Sequence, residues 1–329
     1  MKKLIFVVLL TLILVNSQRI EGLCQQAIDY VANIIKNDDF VGFATVNGRV
    51  TGGEKGETIT VSNATEFLKF VKGNRPLVIQ VSGKIELPAG MHQVASNKTI
   101  IGLGDNAEIT NGGLYLIRVE NVIIQNISFS KASDDSITID QGSHHILIDH
   151  NDFSDANDGL LDIIRESNYI TVSWNHFHDH DLTSLVGHDD SNTADRGKLK
   201  VTYHHNWFDG TAQRQPRVRF GEVHVFNNYY AGVTEYGIGV GVEAKVVSEN
   251  NYFETQNPTS YLDTPSMKGY IKDSGSYFAS SVTSKFEPEG IKWSPSSFYS
   301  YKLDPAGDVK EIVMNGAGVG KLDEVISIP

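Results

Sequence analysis

The chain of 329 residues has one cysteine, Cys24, and so can form no internal disulfide. A lone thiol of this kind is expected to be buried in a capping element rather than reactive. Positive charge is also scarce. Lys and Arg total 28 against 40 Asp and Glu, a formal charge of −12. That argues against a nucleic-acid partner, since a phosphate backbone needs a net basic face. It does not argue against a polyanion held by local arginines and bound cations. Long apolar runs are missing except for Leu4–Val15, which follows Lys2 and Lys3 and precedes the small residues around Ser17. This run is too short to span a bilayer and predicts a secretory signal peptide over 1–17, cleaved as late as 22, with no membrane span in an extracellular protein. Its removal takes away Lys2 and Lys3 and leaves a more acidic chain. No Pro/Ser-rich break interrupts the rest, so 23–329 reads as one domain. Neither a Gly-rich phosphate loop nor a nucleophile elbow is present.

What the sequence does contain is a repeat. VENVIIQNISF (119–129), HHILIDHNDF (144–153), NYITVSWNHF (168–177), KLKVTYHHNWF (198–208), GEVHVFNNYY (221–230) and AKVVSENNYF (244–253) each run through an alternating β-rich stretch to an Asn and then an aromatic. The asparagines are Asn126, Asn151, Asn175, Asn206, Asn228 and Asn251, with steps of 25, 24, 31, 22 and 23. A period of this length built from short strands predicts a solenoid, here a parallel β-helix. Stacked coils would place the amides in a hydrogen-bonded ladder and the rings in a column. The step of 31 predicts a surface loop from the polar stretch 187–198. Apolar spacing over 24–36 predicts a helix capping the open end of the stack. From Thr58 the chain reads as strands, and after Glu254 as irregular structure with a strand or two. Capped solenoids need no partner, so a monomer is expected.

Three acids stand in register with the repeat. Asp135 precedes Asp158 by one coil length, and Asp162 follows in NDGLLDI, where Gly159 allows the bend that two ligands of one ion require. Hard carboxylate oxygens of this kind suit Ca²⁺. A second cluster, Arg214, Arg217 and Arg219, surrounds Pro216; in an extended run Arg217 and Arg219 share a face, and a turn must bring Arg214 round. His176, His178 and His180 alternate along one strand face. No Cys or Glu offers a further zinc ligand at customary spacing, so stacked, hydrogen-bonded imidazoles are expected there. The sequons at Asn63 and Asn97 are open to glycosylation; the one at Asn126 falls on the ladder.

The phrases ILIDHNDFS, DGLLDI, YITVSWNHFHDHD, LVGHDD, VTYHHNWFDG, QRQPRVRFG and VHVFNNYY, in this order across residues 95–255, resemble the pectate lyases of polysaccharide lyase family 1. The resemblance implies a right-handed parallel β-helix that cleaves de-esterified polygalacturonate (pectate) by Ca²⁺-dependent β-elimination. It places Asp135, Asp158 and Asp162 on calcium-ligand positions, Arg214 on the base that removes the C5 proton, and Arg219 on the substrate carboxylate; Arg217, on the face of Arg219, is assigned to substrate binding with it. Two positions depart from the pattern. Ser133 stands where some members carry a further acid, with Asp134 beside it, and Leu182 stands where the family often has a Lys in HDHxK. Arginine has a reference pKa above about 12, so a base of this type implies an alkaline optimum. On the residues alone two other readings stay open. A polygalacturonase would hydrolyse the same polymer with paired carboxylates, leaving the arginines without a role, and a non-catalytic pectate-binding solenoid would fit Leu182.

Overall fold

The computed structural model describes residues 40–279, 286 and 291–322. Cys24, the signal segment and the helix expected over 24–36 lie outside them. Every strand pairs in parallel with its counterpart one coil away, and the strands stack in three columns. The first column holds Glu120–Gln125, His144–Asp149, Asn168–Ser173, Lys200–His204, Glu222–Phe226 and Lys245–Glu249. The second runs from Ser128–Ser130 through Asp152–Ser154, His176–His178, Trp207–Asp209 and Tyr229–Ala231 to Tyr252–Phe253. The third contains Ile137–Asp140, Leu161–Ile163, Ser184–Val186, Arg217–Val218, Ile238–Gly241 and Thr259–Leu262. This is the parallel β-helix that the repeat predicts.

Alternation explains the stack. In the first column Val122, Ile146, Ile170, Val201, Val223 and Val246 point inward, each directly over the next and each fully buried. Burying one such side chain contributes roughly 1.5–3 kcal/mol, and parallel stacking repeats that gain at every coil. At the second column Phe129, Phe153, Phe177, Phe208, Tyr230 and Phe253 form a near-parallel pile with centroids 4.4–5.3 Å apart. Beside it runs the amide ladder. Asn151 Nδ2 donates to Asn175 Oδ1 (3.0 Å), Asn175 to Asn206 (3.0 Å), Asn206 to Asn228 (2.9 Å) and Asn228 to Asn251 (3.0 Å).

Asn126 is not part of the ladder. The place in line with Asn151 belongs to Ile127, whose N–H donates to Asn151 Oδ1. Asn126 sits one residue earlier, on the left-handed corner (φ 57°) that His150, Trp174, His205, Asn227 and Asn250 also occupy. Its amide donates to the carbonyls of Gly102 and Gly104 and accepts from Gly320 N. The sign was in the sequence: Phe129 follows Asn126 by three residues, against two in the other repeats.

Two helices depart from the strand-only reading. Ala64–Lys72 buries Phe67 and Val71 in the core at the first coils, and Asn63 with Glu66 closes its N-terminus by reciprocal hydrogen bonds. Val309–Gly316 lays Val309 and Val313 against Tyr229 on the outside of the second column. The coils also persist beyond Glu254, through Thr259–Leu262, Tyr270–Ser274 and Tyr277–Phe278.

Candidate active site

The third column carries the chemistry on its outer face. Along Ile137–Asp140, Leu161–Ile163 and Ser184–Val186 the odd side chains fill the core, or the even ones in the last strand. That leaves Thr138, Asp162, Leu185 and Arg217 as a register row across four successive coils. Adjacent coils lie about 4.8 Å apart, so acid and guanidinium share one face without contact.

At one end the acids converge. Carboxylate oxygens of Asp134, Asp135 and Asp158 all lie within 4.8 Å of one another. Asp135 is held in place, accepting from Thr138 Oγ1 (2.6 Å) and Gly159 N (2.7 Å). Asp162 lies beneath, accepting from Leu185 N (3.2 Å). Burial raises the pKa of Asp135, and the charges of Asp158 and Asp134 add to the rise. Burial raises that of Asp162 well above its ordinary value; Asp135 adds to this and Arg214 opposes it. Gly159 makes this packing possible, since a Cβ there would stand 2.6 Å from Asp162 Oδ1 and 3.1 Å from Asp135 Oδ1. Of the expected ligands Asp135 and Asp158 come together, and Asp134 joins them, while Asp162 stands outside that group on the far side of Gly159 and Ser133 accepts from Gly90 N. The donor set is all oxygen and forms no ion pair with a described residue, which fits Ca²⁺.

At the other end stand the arginines. Arg214 occupies a left-handed turn (φ 64°) that solves the parity problem, with its carbonyl accepting from Ser184 N. Its guanidinium makes no hydrogen bond to a described residue and its Nε is buried without a partner, as is that of Arg217. Burial lowers the pKa of Arg217, and the neighbouring charges of Arg219 and Arg214 lower it further. Arg219 differs from both. It donates through Nε to Asp190 and through Nη1 to the Gly187 carbonyl (3.0 Å). Gly187 and Asp190 belong to the polar insertion 187–198, so that loop braces an arginine of the site. Sequence reasoning foresaw the loop but not Asp190. His180 was also read only as part of a histidine row, yet its Nε2 meets the carbonyl of Asp158 and steadies the acidic turn. Leu182 pairs with Gln213 at the edge of this face.

The other histidines match the expected stacking. The rings of His176 and His178 lie 4.5 Å apart. A concavity of about 600 Å³ lined by Arg118, Arg165, His144, Tyr169 and Lys198 lies at a different corner and contains none of the acids or arginines above.

A sequence profile of the family described as pectate lyase matches residues 23–322. Pectate lyase A of Emericella nidulans is 39% identical over 85% of this chain and 86% of its own. The pectate trisaccharide-lyase of Thermotoga maritima is 38% identical over 87% and 90%. Among solved structures, a Bacillus sp. N165 pectate lyase in complex with trigalacturonate superposes with a TM-score of 0.78 at 30% identity, covering 86% of this chain and 99% of that one. A pectate lyase bound to a hexasaccharide gives 0.76 at 27% identity, over 86% and 97%.

Proposed function

The chain belongs to the pectate lyase family, and from that premise we propose that it is a secreted, monomeric enzyme that cleaves de-esterified polygalacturonate by Ca²⁺-dependent β-elimination. The observation that carries this reading is the pairing, on one face, of a carboxylate cluster with two arginines whose Nε atoms are buried without an acceptor among the described residues. A hydrolase with paired carboxylates has no use for the arginines.

Asp135, Asp158 and Asp162 would hold the ion, with Asp134 contributing. Bound there, Ca²⁺ supplies positive charge against the substrate carboxylate. The remaining work falls to side chains. Arg219 and Arg217 orient the uronate carboxylate and stabilise the negative charge that spreads onto it as the C5 proton leaves. Asp190 holds Arg219 until substrate arrives. Arg214 takes the C5 proton. The C5–H electrons form the C4=C5 double bond, the C4–O bond breaks with its electron pair, and the departing oxygen takes up a proton. The product is a 4,5-unsaturated uronate at the new end.

The test is ultraviolet absorbance of polygalacturonate mixed with the mature protein, with Ca²⁺ and then with excess chelator. A rising unsaturated-product signal, abolished by the chelator and reduced about 10²–10⁴-fold in Arg214→Ala, is the expected result. Chain shortening without that absorbance would indicate hydrolysis. Binding without shortening would indicate a carbohydrate-binding solenoid.

A further inference from the structure

On the second column, away from the acid–arginine face, Asp152, His176 and His178 come together from adjacent coils. One ligand atom from each lies within 4.8 Å of the others. His176 Nδ1 is 3.1 Å from Asp152 Oδ2, and His178 Nε2 is 3.0 Å from Asp152 Oδ1. Four donors at 2.0–2.1 Å around a tetrahedral Zn²⁺ stand roughly 3.3 Å apart. Both histidine–carboxylate distances already match that spacing, and the two imidazole nitrogens lie within the 4.8 Å that bounds the group.

The far side of each ring strengthens the case. His176 Nε2 faces Asp209 Oδ2 at 3.3 Å, and His178 Nδ1 faces Asp179 Oδ2 at 2.8 Å. A carboxylate on the outer nitrogen takes the ring N–H and directs the inner lone pair at the metal, which is the usual support of a metal-binding histidine. Both rings have that support here, and both inner nitrogens aim at one carboxylate. The three side chains are 19–25% exposed, so an ion can enter and water can complete its shell.

We propose that Asp152, His176 and His178 form a second cation site, selective for a borderline transition ion such as Zn²⁺ and distinct from the all-oxygen cluster. Imidazole nitrogen favours Zn²⁺ over Ca²⁺, and an all-carboxylate set the reverse. The ion would tie together two coils directly and a third through Asp209, stapling the stack behind the reacting face. Sequence spacing missed the site because its ligand carboxylate, Asp152, arrives from the neighbouring coil. The competing occupant is a pair of protons, which would turn the same contacts into imidazolium–carboxylate pairs.

The test uses the full mature chain, stripped with chelator, desalted, saturated with Ca²⁺ and titrated calorimetrically with ZnCl₂ near neutral pH. One equivalent of Zn²⁺ should bind and raise the melting temperature. Affinity should fall by about tenfold or more in His176→Gln and in His178→Gln and stay unchanged in Asp158→Asn. Should the histidine variants fail to fold, Asp152→Asn and the d–d absorption of the Co²⁺-loaded wild type give the same reading. Zn²⁺ uptake that is absent, that survives the histidine substitutions, or that disappears in Asp158→Asn would overturn the proposal.

Discussion

Asp162→Asn should make the calcium-free protein more stable while removing its response to calcium. Asp162 is buried beneath the other acids, and its Oδ1 and that of Asp135 are less than about 6 Å apart across Gly159, where like charges repel by roughly 3 kcal/mol at an effective dielectric near 20. The amide keeps the acceptor for Leu185 N and removes the repulsion with Asp135. It loses the attraction of Arg214, which offsets part of the benefit. A net gain of about 1–2 kcal/mol remains, or roughly 2–8 °C in melting temperature for a chain of this size.

The effect has a defined pH dependence. In the calcium-free fold the pKa values of Asp135 and Asp162 are raised above the ordinary 3.8, so the folded state holds these protons more tightly than the unfolded chain does. The resulting penalty is absent below the unfolded value and grows as pH rises through the raised folded values. In chelator, the melting temperature of the wild type should therefore approach that of Asp162→Asn as the solution is acidified. With saturating Ca²⁺ the order reverses at neutral pH, because only the wild type gains the binding energy, about 2.7 kcal/mol at 100 times the dissociation constant. Scanning calorimetry of both proteins, with and without Ca²⁺ across mildly acid to neutral pH, measures all of this. A variant less stable than wild type in chelator at neutral pH, or one that keeps the full calcium shift, would refute the reasoning.

Asp190→Asn frees Arg219 for substrate. With Asp190 half exposed, the pair contributes about 0.2–1 kcal/mol, so KM for polygalacturonate should fall roughly 1.5–5-fold with kcat retained, as initial rates will show. Gly159→Ala drives a methyl into Asp162 Oδ1; the calcium requirement should rise about tenfold by activity titration, with excess Ca²⁺ restoring the rate. Asn175→Ala removes the amide that donates to Ile148 O and Asn206 Oδ1 and accepts from Asn151. Orphaning those buried partners should cost at least about 3 kcal/mol in denaturant unfolding.

What could be read from the sequence follows from how a solenoid is built. Stacking gives the same position of every coil the same surroundings, so Phe153, Phe177 and Phe208 or Asn151, Asn175 and Asn206 recur in the chain because they recur in space. The meeting of Asp135 and Asp158 was legible for the same reason, since they lie about one period apart. Contacts that depend on loop path or coil-to-coil register were not. Asp190 reaches Arg219 only because of how the insertion folds back. Asp152 meets His176 and His178 only because strand Asp152–Ser154 pairs with His176–His178, and local spacing around the histidines gave no hint of it. The helix Ala64–Lys72 announced itself in Asn63-Ala-Thr-Glu66, whose ends close on each other, but an isolated cap is easily outweighed by the strands on either side. The histidines show where this matters for function. A reading limited to neighbours in sequence finds only Asp179, next to His178. The fold adds Asp152 and Asp209 from the coils on either side. In a repeat protein, ligands for a candidate metal site should therefore be sought one coil length away before the site is dismissed.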